Sequence, residues 1–64
     1  MKREWLIAHR KAKGLTQYEV AEALEIKQSI YSAYEIGTRT PKPKTAKKIA
    51  NIFNFKWTKF YEEN

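Results

Sequence analysis

No cysteine occurs in this chain, no aspartate, and only one histidine, His9. The missing thiols rule out disulfides and thiolate metal sites. Together the three shortages leave nothing from which a dense metal cluster or a Ser-His-Asp set could be assembled. Seven glutamates remain, most of them at helix-surface or tail positions, too scattered to read as an acid–base pair. Glycine is scarce too. Gly14 and Gly37 are the only two, and neither belongs to a phosphate-cradling loop. The chain therefore reads as a non-enzyme with no catalytic residue, no metal and no cofactor. No apolar run approaches the ~20 residues of a membrane span. Trp5-Leu6-Ile7-Ala8 is cut off by His9-Arg10-Lys11, too soon for a secretory core. An unprocessed, cytoplasmic protein without a membrane partner is expected.

What is present is positive charge, unevenly placed. The 64 residues carry a formal charge of +6, and the length suits one domain, 1–64, near the lower size for a single core. Aromatics at 14% supply large apolar units for that core. Between Ile36 and Tyr61 lie Arg39, Lys42, Lys44, Lys47, Lys48, Lys56 and Lys59 without one acid. Charge that served only solubility would mix its signs. This half reads instead as a rim facing phosphates.

The hydrophobic periods predict five helices, at about 2–12, 16–24, 28–36, 43–53 and 57–62. Thr16 with Glu19 forms a capping box, which sets a helix start. Val20, Ala21 and Leu24 give that helix one buried stripe, and Ile30, Tyr31 and Tyr34 repeat the pattern until Gly37 stops it. Ile30 and Tyr31 are adjacent and point about a hundred degrees apart, so one of them is only half buried. Ala46, Ile49, Ala50 and Phe53 form the cleanest helical stripe, and Trp57, Phe60 and Tyr61 read as core in the last short helix. Thr38 to Pro43 is the one real loop, with prolines that stop the third helix and suit the opening of the fourth. Two short helices joined this tightly form a helix-turn-helix at about 16–36, whose second helix fits the DNA major groove.

The segment resembles the Cro/repressor (XRE-type, lambda-repressor-like) helix-turn-helix family. The likeness runs without a gap through Leu6, Arg10, Gly14-Leu15-Thr16-Gln17, Ala21, Leu24, Ile26, Gln28-Ser29, Ser32, Glu35 and Gly37. It continues through Pro41, Thr45, Ile49-Ala50, Phe53 and Phe60. The resemblance implies an all-α, compact five-helix DNA-binding domain. Two positions depart from the family's habit. Glu25 stands where the inter-helix turn often has Gly, and costs roughly 1–2 kcal/mol if φ is positive there. Ile36 stands where Asn is common, which removes a phosphate contact and leaves an apolar residue near DNA.

Gln28 is the prime base reader, because its amide can bond adenine N6 and N7 together; the resemblance also puts a DNA contact there. Ser29 and Ala33 match further contact positions, the first tolerant of several bases and the second limited to a thymine methyl. Lys27 can reach a guanine or a phosphate, and Ser32 completes the outward face. The resemblance puts Tyr31 and Tyr34 in the core, with Ile30 nearer the DNA. It also makes Gln17, beside Thr16 at a helix N-terminus, a phosphate contact, which suits the free N–H groups and dipole there. Arg39, Thr40, Lys42 and Lys44 would hold phosphates on the other side. Arg10 and Glu35 match a charged pair of the family and are expected to face inward. His9, at a usually apolar position, is read as a partly buried structural imidazole. Phe55, with Lys56 and Trp57, marks a possible dimer contact, although capping the fourth helix would equally explain Phe55.

The resulting expectation is a sequence-specific double-stranded DNA-binding transcription regulator, a repressor of phage or mobile-element type, bacterial or phage-encoded and nucleoid-associated. It would bind a near-palindromic operator as a weak homodimer stabilised on DNA, with an antirepressor as a possible partner. An antitoxin that regulates its own operator and binds a toxin is one alternative. A protein-interaction adaptor on the same fold is another, against which Lys27-Gln28-Ser29 and the basic rim both argue.

Overall fold

The computed structural model describes residues 2–62, and among these it contains four α-helices, one short 3-10 helix and no strand. The helices are α1 (Glu4–Ala12), α2 (Gln17–Leu24), α3 (Gln28–Ile36) and α4 (Pro43–Phe53), followed by the 3-10 helix Trp57–Tyr61.

Local chemistry accounts for most of the boundaries. Thr16 accepts a hydrogen bond from the Glu19 N–H at 3.1 Å, and the Thr16 N–H donates to Glu19 Oε1 at 2.8 Å. That completes the capping box and fixes the start of α2. Pro43 opens α4, where its missing N–H costs nothing. Left-handed residues close the helices: Glu25 at φ 59° after α2, Gly37 at φ 95° after α3 and Asn54 at φ 61° after α4. After Glu25 and Asn54 the next amide turns back five residues, Ile26 N–H to the Ala21 carbonyl and Phe55 N–H to that of Ala50. The strain foreseen at Glu25 is therefore present.

Three expectations are corrected. The first helix begins at Glu4, not at residue 2, because the Arg3 backbone is non-helical and its N–H donates across the fold to the Glu35 carbonyl at 2.7 Å. The fifth element is a 3-10 helix and not an α-helix, with Lys59 N–H bonded to the Lys56 carbonyl and Glu62 N–H to that of Lys59. Three residues per turn set Trp57 and Phe60 on one side, so five residues suffice to press Phe60 into the core. Tyr61 is not core. It is 45% exposed, and its hydroxyl donates to the Pro41 carbonyl at 2.6 Å.

The core gathers Leu6 of α1, Val20, Ala21 and Leu24 of α2, Tyr31 and Tyr34 of α3, Ala46, Ile49 and Phe53 of α4, and Phe60. These are the residues of the periodic stripes, so the periods and the packing agree. Half-buried Ile30 settles the choice left open with its neighbour, since Tyr31 is fully buried. α2 packs against α3 and α4, α1 against α3, and α4 against the 3-10 helix. The scaffold thus leaves one side of α3 uncovered.

Candidate nucleic-acid interface

Helical spacing sorts α3 cleanly. Tyr31, Tyr34 and Glu35 are buried, whereas Gln28 and Ser29 are exposed, and Ser32 and Ala33 are partly exposed on the same outward side. Lys27, exposed and extended at the N-cap, offers no side-chain cap to the first amides of α3. The Ile30 and Tyr31 amides turn back to the Lys27 carbonyl, at 3.0 and 3.2 Å. At nine residues the helix is about 13 Å long, close to the ~12 Å width of the major groove. Ile36, 49% exposed, lies at its C-terminal end, a large apolar side chain left in solvent.

Two groups flank this helix. At the start of α2, Thr16 is exposed and Gln17 half buried. The capping box uses a lone pair of the Thr16 hydroxyl but leaves its proton available. Gln17 is less free than a solvated phosphate ligand would be, because its Nε2 donates to Glu35 Oε1 at 2.9 Å. An amide nitrogen carries two protons, so one remains to donate. Beyond α3, Arg39, Thr40, Lys42 and Lys44 are all exposed, and Tyr34, Arg39, Thr40, Lys42 and Thr45 line a shallow cleft of about 290 Å³. The basic rim is not uniform. Lys47 holds its ammonium 5.0 Å from the Trp57 ring centre and Lys59 lies 5.1 Å from that of Trp5, so both also serve the aromatic cluster.

Behind the interface lies a polar centre that joins three helices. Arg10 Nε donates to Glu35 Oε2 at 2.7 Å and Nη2 to Oε1 at 3.3 Å, while Nη1 donates to the Leu15 carbonyl at 3.0 Å. The Arg10 side chain is 13% exposed and that of Glu35 2%. Burial alone would raise the Glu35 carboxyl, but donors from Arg10 and Gln17, with the adjacent Tyr31 hydroxyl, prevail and hold it below the usual carboxylate range. The Tyr31 phenol is pushed up, first by its burial and then by the Glu35 charge. The fork on Glu35 raises Arg10 despite partial burial.

Phe55 follows the core alternative: its ring is 5.1 Å from both Trp5 and His9 and 5.7 Å from Phe60. His9 is half buried and stacks on Phe55 and Phe53. Trp57 meets Tyr61 edge-on, and Lys56 is exposed. Arg3 was not among the residues singled out from the sequence. It is 4% exposed, with Nη1 donating to the Tyr34 carbonyl at 2.6 Å and the Arg39 carbonyl at 2.9 Å, and Nη2 to Thr40 Oγ1 at 2.8 Å. No local pattern marks such a residue, because its partners lie 31 to 37 positions away.

Among the described residues, no helix is long and apolar enough to cross a membrane, and no three His, Cys, Asp or Glu side chains gather as metal ligands. No solved structure matches the chain. Among curated proteins, it is 44% identical over 63 residues to an uncharacterized HTH-type transcriptional regulator of Bacillus subtilis, YqaF, covering 98% of this chain and 83% of that protein. A second uncharacterized HTH-type transcriptional regulator of the same organism, YqaE, is 47% identical over 45 residues, which is 70% of this chain and 39% of that protein. The helix-turn-helix family model matches residues 6–60. With that span covered and α2 and α3 packed as described, the chain belongs to the XRE-type helix-turn-helix family of DNA-binding transcription regulators.

Proposed function

We propose that this chain is a sequence-specific double-stranded DNA-binding repressor of phage or mobile-element type, acting in the cytoplasm and reading the major groove with α3. The observation that carries the reading is the outward side of α3. It presents Gln28, Ser29, Ser32 and Ala33 next to an exposed basic loop, on a fold that buries the opposite side. Polar groups that can discriminate base edges therefore stand beside cations that neutralise phosphates. Thr16 and Gln17 grip one backbone through the α2 N-terminus, and Arg39, Thr40, Lys42 and Lys44 the other. One α3 reads only a few base pairs, so two copies act on a near-palindrome, with the recognition helices about 34–36 Å apart.

Selection of bound sites from random duplexes with the purified chain tests DNA binding, sequence preference and symmetry together. Failure to enrich any site would end the reading. Single substitutions then separate the roles. Gln28→Ala should cost ~1–3 kcal/mol on the selected site and relax preference at one base pair. Arg39→Ala should weaken all duplexes alike and reduce the slope of log affinity against log salt by roughly one. Equal losses for Gln28→Ala on selected and random DNA would show that it is no reader.

A further inference from the structure

We infer that Arg3 is a positioning residue for DNA binding: from inside the fold it sets the loop that presents Arg39, Thr40 and Lys42 to the phosphate backbone. This rests on the DNA-binding reading above and deepens it. The guanidinium cannot touch DNA itself, because Arg3 is 4% exposed. Its donors instead reach the far end of α3 and the loop beyond. Nη1 bridges the Tyr34 and Arg39 carbonyls at 2.6 and 2.9 Å, and Nη2 holds Thr40 Oγ1 at 2.8 Å. The Arg3 backbone adds a bond from its N–H to the Glu35 carbonyl at 2.7 Å. The Phe60 ring lies 5.4 Å from the guanidinium carbon, so the plane is fixed from the core side as well.

The consequence falls on the loop. Thr38, Arg39 and Thr40 run between the end of α3 and buried Pro41, and all three are exposed. The Arg39 N–H donates to the Ala33 carbonyl at 3.3 Å, while the Arg39 carbonyl and the Thr40 hydroxyl are both held by Arg3. The loop backbone is therefore fastened from within while the Arg39 side chain projects into solvent. A planar fork can serve three acceptors in this fixed arrangement, and an ammonium cannot reproduce it. Arg3 thus spares the loop the entropy of being ordered when DNA arrives.

The test measures binding to a random-sequence duplex as salt is varied. It uses the unaltered chain, Arg3→Ala, Arg3→Lys, Arg39→Ala and the Arg3→Ala/Arg39→Ala double variant. All are compared at a temperature where circular dichroism shows native helix. Arg3→Ala and Arg3→Lys should each lose roughly five- to tenfold and flatten the salt slope, although the residue itself meets no phosphate. The double variant should bind no more weakly than Arg39→Ala, because both changes remove the same contact. Full additivity, an unchanged salt slope, or rescue by lysine would overturn the inference. So would loss of native helix in both Arg3 variants at every temperature, which would assign Arg3 to the core alone. If the unaltered chain does not bind duplex DNA, the DNA reading fails as well; binding that survives both Arg3 variants sinks only the positioning role.

Discussion

Glu35→Ala will lower the chemical denaturation midpoint steeply, by an amount equivalent to ~3–5 kcal/mol. The substituted carboxylate is 2% exposed and accepts from Arg10 at 2.7 and 3.3 Å and from Gln17 at 2.9 Å. Its removal leaves a largely buried guanidinium with the Leu15 carbonyl as its remaining acceptor among the hydrogen bonds described above. Domains of this size hold only ~5–15 kcal/mol in total, so much of the population should unfold at modest denaturant. An exposed pair would contribute well under ~1 kcal/mol, and an unchanged midpoint would show that Glu35 carries no such weight. The same centre sets an acid limit. The folded Glu35 carboxyl is held below its ordinary value, so its contribution is complete above the unfolded carboxylate pKa of about 4.3 and is lost as pH falls through the lower folded value. Glu35→Gln, compared with the unaltered chain, should show a shallower loss of stability across that acid range. Parallel curves would refute the linkage.

Inserting five base pairs between selected half-sites will reduce affinity by on the order of a hundredfold or more. Half a helical turn carries one half-site to the opposite face of the duplex, where a symmetric pair cannot engage both. What disappears is the effective concentration of the second protomer, which can exceed either single affinity by ~10²–10⁴. Ten base pairs restore the facing and should recover part of the loss. The interface proposed for such a pair is small. Phe55 is packed within its own chain against Trp5, His9 and Phe60, whereas Lys56 is exposed and Trp57 half buried. Small interfaces between like-charged protomers associate weakly in solution and gain when DNA neutralises them. Affinity that does not fall on insertion would replace the dimer with a monomeric reader.

How much was legible in advance follows the range of the interactions. Thr16 and Glu19 are three residues apart, and the capping box they form starts α2 where the sequence placed it. The stripes on α2, α3 and α4 rest on the helical period alone, and their residues fill the core. The buried setting of Glu35 was implied by the resemblance, which pairs it with Arg10, and not by its place after Tyr34. The proton given to it by Gln17 could not be anticipated, because 18 residues separate them and either side chain could equally have faced water. Arg3 was hidden for the same reason: a basic residue at the chain start looks solvated until its distant partners are folded into place. The last helix failed differently. Its i, i+3 aromatic spacing fits an α-helix and a 3-10 helix alike, and five residues are too few to tell the two apart. The outward residues of α3 were placed by phase, but phase says nothing about which base each one meets.

The left-handed Glu25 has a consequence for how the chain can change. A non-glycine residue at φ 59° carries roughly 1–2 kcal/mol of backbone strain in the turn between α2 and α3. Glycine would relieve most of it and give back about 0.5–1 kcal/mol in the greater freedom of its unfolded state. The balance is a modest reserve of stability, reachable through one codon, at an exposed turn outside every contact proposed for DNA. Proteins near a stability threshold accept new function at the cost of folding energy. A lineage of this chain could therefore admit a destabilising change on its reading helix and recover the loss at Glu25, so the turn widens the set of operators its descendants can come to bind.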